Sequence, residues 1–456
     1  MTQTLLDEHT IDEESLLAVE SIICSSLSRE KTNEGKKLRY WDIVVIHATY
    51  STAGGIVVMP YMFGQLGYVL GPIVLALWMF LLYCINAFVC DIVLASGGRC
   101  KTLGDVGAKL AGTHGRLVLR GIQLLNMLLY LPTALETIAL SLQYIGNKAF
   151  NHESGCVGYW KLIVFGLLVV LLQVMKSWKD SAIVSYLIFA LVVFKALVLL
   201  PYGFVEYKDD YIESKFYQGA SLAFGNPDPK FWDMISGILT WVFTGIFFVV
   251  ESMAETKNPK EYKSALRVGV IIMYILYIVP GLMCVLMWGW NHQYLVNLEL
   301  PYGWMGILLN VLIALPTLLD YIISSLVINE AISMKFLKPP ERQISWWYQL
   351  KKTLPSTILA FVICVIIPNF DTLVQIGTSI TIVPTCTWLV SVLWLVGGRI
   401  VPGVQGFGSP ELKLKTLHWT SILIGLPMTV LVFATAIHGL INTDFSGNHL
   451  WCGKIE

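Results

Sequence analysis

The chain has 456 residues, 55% of them hydrophobic and 14% charged, and a formal net charge of +0. With a mean hydropathy of +0.66, this is the composition of an integral membrane protein and excludes an ordinary soluble domain. A neutral balance argues against a nucleic-acid partner. The nine cysteines form no CxxC and no cluster with histidine at metal-ligand spacing, and no dinucleotide or phosphate-binding glycine motif is present. No metal, organic cofactor or enzymatic activity is therefore expected.

Residues 1–40 are polar and read as a cytoplasmic tail. Within it Asp12-Glu13-Glu14-Ser15-Leu16-Leu17 has the form of an acidic di-leucine sorting signal, or of an ordinary amphipathic turn. No cleavable signal is apparent, so the first apolar run is expected to act as an uncleaved anchor. Apolar length then gives about eleven spans. They lie near 42–64, 69–95, 116–147, 159–176, 181–204, 232–254, 267–290, 304–333, 352–368, 372–397 and 416–441. Lys and Arg concentrate in the loops that share a side with the N-terminus, among them Arg99, Lys101, Lys257, Lys260, Lys338 and Arg342. The positive-inside rule thus places the N-terminus in the cytoplasm. An odd span count leaves a short extracytoplasmic tail, 443–456, after the membrane domain of 41–442. Cys156 and Cys452 would then both face the oxidising side, either as a disulfide or as two unrelated thiols.

The first span contains Thr49-Tyr50-Ser51-Thr52-Ala53-Gly54-Gly55-Ile56-Val57-Val58-Met59-Pro60. Adjacent glycines are poor helix formers and proline lacks a backbone donor. In hydrocarbon such a break survives only where protein or a cavity satisfies the freed groups. It reads as unwound backbone at a substrate site, or as a kink or close-packing surface. Paired interruptions in corresponding spans point to the binding site of an inverted-repeat transporter. If the repeat is five helices, span six corresponds to span one. Span six carries Thr240-Trp241-Val242-Phe243-Thr244-Gly245-Ile246-Phe247-Phe248, then an intramembrane carboxylate at Glu251. The pair favours broken helices over plain kinks.

The stretch from Ala53 through Pro60-Tyr61 to Gln65-Leu66-Gly67 resembles the first helix of the amino acid/auxin permease family. Thr244-Gly245 with Glu251 is similar to its sixth helix. Pro368-Asn369-Phe370 and Pro384 resemble its ninth-to-tenth turn and tenth helix. The resemblance covers nearly all of the chain after residue 40. It departs at Ala53, where the family has glycine, and at Ile246, where plant members often carry histidine. It implies an all-α membrane protein with a LeuT-type fold: a five-plus-five inverted repeat (41–205 and 231–397), helices one and six broken, and an extra helix at 416–441. It also implies secondary active transport of amino acids, usually driven by protons.

Ionisable residues deep in a span are functional candidates by default. Lys195 lies in an apolar run of span five, and the resemblance implies a place beside a sodium position of this fold. It reads as an ammonium standing where that ion would bind and cycling protons, or as a snorkelling or static charge. Asp320 in span eight is its most plausible partner, with Ser324 and Ser325 as cation ligands or as hydroxyls turned back onto their own helix. Glu251 is expected to titrate or to lock an inner gate. His47 is geometrically able to meet it there, or is a satisfied core histidine. Glu136 in span three reads as a vestibule gate or a static hydrogen-bonded group.

The expected substrate is a small-molecule amino acid. Its carboxylate would meet free N–H groups at Thr52, Ala53, Gly54 and Gly55. Its amino group would meet carbonyls near Phe243, Thr244 and Gly245, with Tyr130, Trp241 and Phe247 lining the pocket. Rocking of spans one, two, six and seven would alternate access. The expected function is a proton-coupled amino acid symporter, most readily in the plasma membrane, with an endolysosomal membrane as the alternative. The alternatives in function are sodium coupling, an auxin-like aromatic acid substrate, and a non-transporting amino acid sensor. The oligomeric state is open.

Overall fold

A computed structural model describes residues 38–52, 55–97, 99–149, 156–174, 178–208, 224, 246–289, 296, 303–336, 346–367, 370–397 and 410–441. Among these the chain is helical throughout, with one isolated bridge between Leu38 and Thr256 as its only β-type pairing. Nine helical stretches among the described residues are long and apolar enough to cross a membrane.

Helix α1 runs Tyr40–Thr52. Asp42 organises its start: Oδ2 accepts from the Arg39 N–H at 2.8 Å, and Oδ1 accepts from the Tyr186 hydroxyl at 2.6 Å. At its end the Thr52 hydroxyl donates back to the Ala48 carbonyl, which occupies an acceptor the next turn would have used. Ala53 and Gly54 lie outside the described residues. The chain resumes as a single 3₁₀ turn, Gly55–Val57, and then as α2, Met59–Ala95. Pro60 sits in the first turn of α2, where its missing N–H costs nothing. It therefore starts a helix here and does not end one. Gly67, at φ 83 and ψ 168, breaks α2. A side chain is strained at such a φ, so the glycine marks where the outer part of span one hands over to span two.

Helix α3, Leu103–Ala149, is likewise broken, at Ala111 and at Gly112 with φ 69. Thr102 and Asp105 cap its start reciprocally: the Thr102 N–H reaches Asp105 Oδ2 at 2.9 Å, and the Asp105 N–H reaches Thr102 Oγ1 at 3.3 Å. The first piece folds back on the second so closely that a Cβ at Gly107 would overlap the Gly115 carbonyl. The third span thus carries an extra turn-and-return that apolar length does not reveal. Just before it, in the connection from α2, burial pushes the Cys100 thiol above its ordinary range.

Next come α4, Val157–Val174, and α5, Trp178–Phe194. A π-helical turn, Lys195–Leu199, joins α5 to α6, Leu200–Glu206. Of span six, α7, Ile246–Ala254, is described. It is followed by α8, Tyr262–Trp288, α9, Trp304–Phe336, and α10, Trp346–Ile366. Span ten is α11, Phe370–Gly377, two π-helical turns at Thr378–Ile382 and Pro384–Leu389, and α12, Val390–Gly397. The last helix is α13, Pro410–Ile441.

Two groups of helices emerge from the packing. α8 lies along α1 and α2, and α7 packs on α2. α3, α4, α9 and α10 pack on one another. The α5–α6 unit touches both groups, through α1 and α8 on one side and α9 on the other. The interior of the α1–α2–α8 group is apolar: Ile56, Val58, Met59, Met62 and Phe63 are fully buried. Leu77, Phe80, Val170 and Leu423 are exposed, as a surface solvated by lipid requires.

Candidate functional site

The residues around the break in span one converge on the middle of the molecule. Tyr50, just before the break on α1, bonds through its hydroxyl to Ser324 Oγ on α9 at 2.9 Å. Its ring meets Phe248 of α7 edge-on, with centroids 4.2 Å apart, and stands 6.2 Å from the ring of Tyr130 on α3. The Tyr130 hydroxyl donates to Asp320 Oδ2 at 3.5 Å. Asp320 is 1% exposed, and its second oxygen, Oδ1, has no hydrogen-bond partner. A buried orphan of this kind costs about 1–3 kcal/mol, so it calls for an explanation.

Lys195, 0% exposed, opens the π-helical turn that packs against α9. Asp320 carries the opposite charge on the helix that this turn packs against. π-helical turns inside α-helices concentrate at functional sites because they re-aim a side chain within an otherwise regular span. The structure therefore links Tyr130 with Asp320, and Ser324 with Tyr50, two residues before Thr52, while Lys195 lies on the turn packed against α9. It adds Tyr50 and Phe248 to the expected residues. Ser325 does not join them: its hydroxyl turns back to the Ile322 carbonyl at 2.8 Å.

A second polar cluster closes the face of the membrane on which α1 begins, called here the N-terminal face. Glu251 Oε1 accepts from Gln123 Nε2 at 2.7 Å and from Arg120 Nη1 at 3.4 Å. His47 does not contact Glu251 and takes the other expected place, that of a buried histidine with a hydrogen-bond partner. Its Nε2 bonds the Tyr262 hydroxyl, which bonds Ser252 Oγ at 2.5 Å. Adjacent residues on a helix point about 100° apart. Glu251 therefore turns to α3 while Ser252 turns to α1 and α8, and the histidine meets the serine's side of the helix. Farther out, Lys263 pairs with Asp91 at 2.8 Å. Leu38 accepts from the Lys257 N–H and donates to the Glu255 carbonyl, each at 2.9 Å.

Glu136, read as a vestibule gate or a static hydrogen-bonded group, takes the second place, inside the α3–α4–α10 group. Its Oε2 accepts from Lys161 Nζ at 2.6 Å and from the Cys364 thiol at 2.9 Å. Lys161 also donates to the Cys364 carbonyl at 3.0 Å. With Glu136 2% and Lys161 0% exposed, this triad ties the helix group together and does not face a vestibule. Phe247 is fully buried, and its carbonyl accepts from Gln123 at 2.7 Å. Cys156 is disulfide-bonded. Ala53, Gly54, Trp241, Phe243, Thr244, Gly245 and Cys452 lie outside the described residues. The sequence reading missed Tyr50, Arg120, Gln123, Lys161 and Tyr262. A signal existed for two of them: Gln123 and Lys161 each interrupt an apolar run.

The sequence profile of the family described as transmembrane amino acid transporter protein matches residues 36–435. The chain belongs to that family. Among curated members it is 24% identical over 251 residues to amino acid permease 4 of Arabidopsis thaliana, a match covering 50% of this chain and 53% of the permease. The chain thus aligns with only about half of that relative's length. It is 22% identical over 344 residues to amino acid transporter AVT3A of the same plant, covering 72% of this chain and 75% of the relative. Of solved structures, MhsT in complex with L-phenylalanine superposes with a TM-score of 0.57 at 11% identity, over 86% of this chain and 98% of MhsT. At that identity the likeness shows a shared fold. Family membership and fold together account for an α-helical, multi-pass membrane protein with a LeuT-type architecture.

Proposed function

We propose that this family member is a secondary active transporter that carries a free amino acid across the membrane together with a proton. The observation that carries the reading is two wholly buried opposite charges, Lys195 and Asp320, on elements that pack together, with Asp320 linked toward the break in span one through Tyr130, and Tyr50 bonded to Ser324 one turn along α9. Paired charges at such depth are costly to maintain and mark ion pathways and proton relays. The amino acid carboxylate takes the free N–H groups from Thr52 to Gly55, and its ammonium takes the carbonyls near Phe243 and Thr244. Phe248 and Tyr50 close one wall. Lys195, held by Asp320, takes the position a coupling cation would need, and gains or loses its proton as the two helix groups move past each other. The family and both plant relatives, named as amino acid carriers, support the substrate class. The N-terminal face is cytoplasmic in this reading, from the loop charges.

Sodium coupling is the weaker reading. It needs hydroxyl ligands on α9, and Ser324 and Ser325 are engaged by Tyr50 and by the Ile322 carbonyl. The deciding experiment is uptake of a labelled amino acid panel into proteoliposomes, with and without an inward proton gradient, for the wild type and Lys195→Ala. Gradient-stimulated uptake that the variant loses while it retains substrate exchange is the expected result. Sodium-dependent uptake indifferent to pH overturns proton coupling. Binding without movement of any substrate turns the reading to a sensor.

A further inference from the structure

One side chain ties the described half of span six to the opposite helix group. Gln123 on α3 is 0% exposed. Its amide nitrogen donates to the Phe247 carbonyl and to Glu251 Oε1, each at 2.7 Å. Its amide oxygen accepts from Arg120 at 2.7 Å. Both amide hydrogens and the oxygen are thereby used. Phe247 and Glu251 stand four residues apart, one above the other on the same face of α7. Two anchors one turn apart fix both the height and the rotation of a helix, where a single anchor leaves it free to turn. Phe248, the residue after Phe247 on α7, meets the Tyr50 ring beside the break in span one.

We propose that Gln123 is the positioning residue of α7: its amide sets the height and rotation of that helix, and through it the Phe248 ring that walls the substrate site against Tyr50. This deepens the transport reading above and rests on it. The tie has to serve the motion that reading requires. α7 packs on α2 and meets α3, and its Phe248 and Ser252 reach α1 and α8, while Gln123 belongs to the group that includes α4, α9 and α10. A tie between groups that slide past each other has to break and reform in every cycle. The Arg120–Glu251 bond crosses the same boundary and breaks with it, and Arg120, on the same helix as Gln123, stays with the Gln123 amide oxygen meanwhile.

The test uses the purified full chain. Binding of each of the twenty L-amino acids is measured by thermal shift, and the tightest binder is then used in titrations and in labelled uptake. Gln123→Met keeps the side chain's volume and removes the donor. Loss of the two hydrogen bonds predicts affinity weakened about tenfold, a KM that rises more than the maximal rate falls, and a ligand-free melting temperature close to wild type. Glu251→Gln retains the acceptor oxygen and is expected to bind as the wild type does. Should Gln123→Met not fold, Gln123→Asn serves: it keeps the amide but is a methylene too short to reach both acceptors, and the same loss is expected. Wild-type affinity in the Gln123 variants overturns the positioning role and leaves the transport reading standing. Equal loss in Glu251→Gln overturns it in favour of the Glu251 charge. A wild type that binds no amino acid overturns the transport reading and this proposal together.

Discussion

Lys161, Glu136 and Cys364 show how a buried charge can belong to the scaffold and not to transport. Breaking a buried pair by removing one partner costs about 3–5 kcal/mol, whereas replacing both by apolar groups is often neutral. Lys161→Met alone is expected to lower the melting temperature of the purified protein sharply. The double variant Lys161→Met with Glu136→Leu should recover most of the loss and retain amino acid uptake. A double variant that is stable but inactive would return Glu136 to a gating role. At this scale the sequence was legible where a charge stands alone in a long apolar run. Asp320 and Lys195 stand that way, and the structure buries both. Lys161 also interrupts an apolar run, but it lies near the start of α4, where a lysine ordinarily reaches back to the interface, so its signal was weak. The partner of His47 was hidden for a different reason. Sequence gives the level of a residue in the membrane but not its bearing around the helix, and one residue's difference in bearing separates Ser252 from Glu251.

Among the elements, α3 makes the clearest demand on its residues. A methyl group at Gly107 meets the Gly115 carbonyl, so the two pieces of α3 depend on the absence of side chains there. Gly107→Val should separate them and lower the melting temperature by an amount typical of overpacking, about 1–3 kcal/mol or more. Gly166→Ala on α4 meets open space and should be neutral, or stabilising by up to about 1 kcal/mol from helix propensity. Parallel melting curves of the two variants check both outcomes. Spans and their order were legible from apolar length, and Gly67 falls between the first two expected spans. The π-helical turns were not. An extra residue per turn leaves composition unchanged, and hydroxyls such as Thr378 and Thr385, which donate to the carbonyls of Val374 and Thr381 four residues before them, leave no mark on a hydropathy pattern. The fold-back of α3 was hidden for a related reason, since residues 103–110 are too short and too polar to register as part of a span.

For the molecule as a whole, the transport reading proposed above takes the two helix groups as the moving parts of alternating access, and the polar cluster between α3 and α7 lies on their boundary. The transport reading fixes which side that cluster faces. An epitope fused to the N-terminus is expected to be reached by antibody only after cells are permeabilised. Staining of intact cells would place the His47 and Glu251 clusters on the extracellular side and reverse the direction of every gating step. The LeuT-type architecture was legible through the family resemblance of the stretch from Ala53 to Gly67, and the glycine-marked interruptions drew attention to it because each span has to satisfy its own backbone; Gly54 and Gly245 themselves lie outside the described residues. The pocket walls were not legible, since they depend on how α3 and α9 rotate to present Tyr130 and Asp320 to a phenol on α1.

The bridge at Leu38 has a mechanical consequence. Two backbone hydrogen bonds of 2.9 Å join Leu38 to Glu255 and Lys257, so the chain leading into α1 and the turn leaving α7 move as one piece. A pull on the backbone at Leu38 is therefore felt at two helix ends together, the start of α1 and the exit of α7, far in sequence from each other but joined like the two ends of a hinge pin.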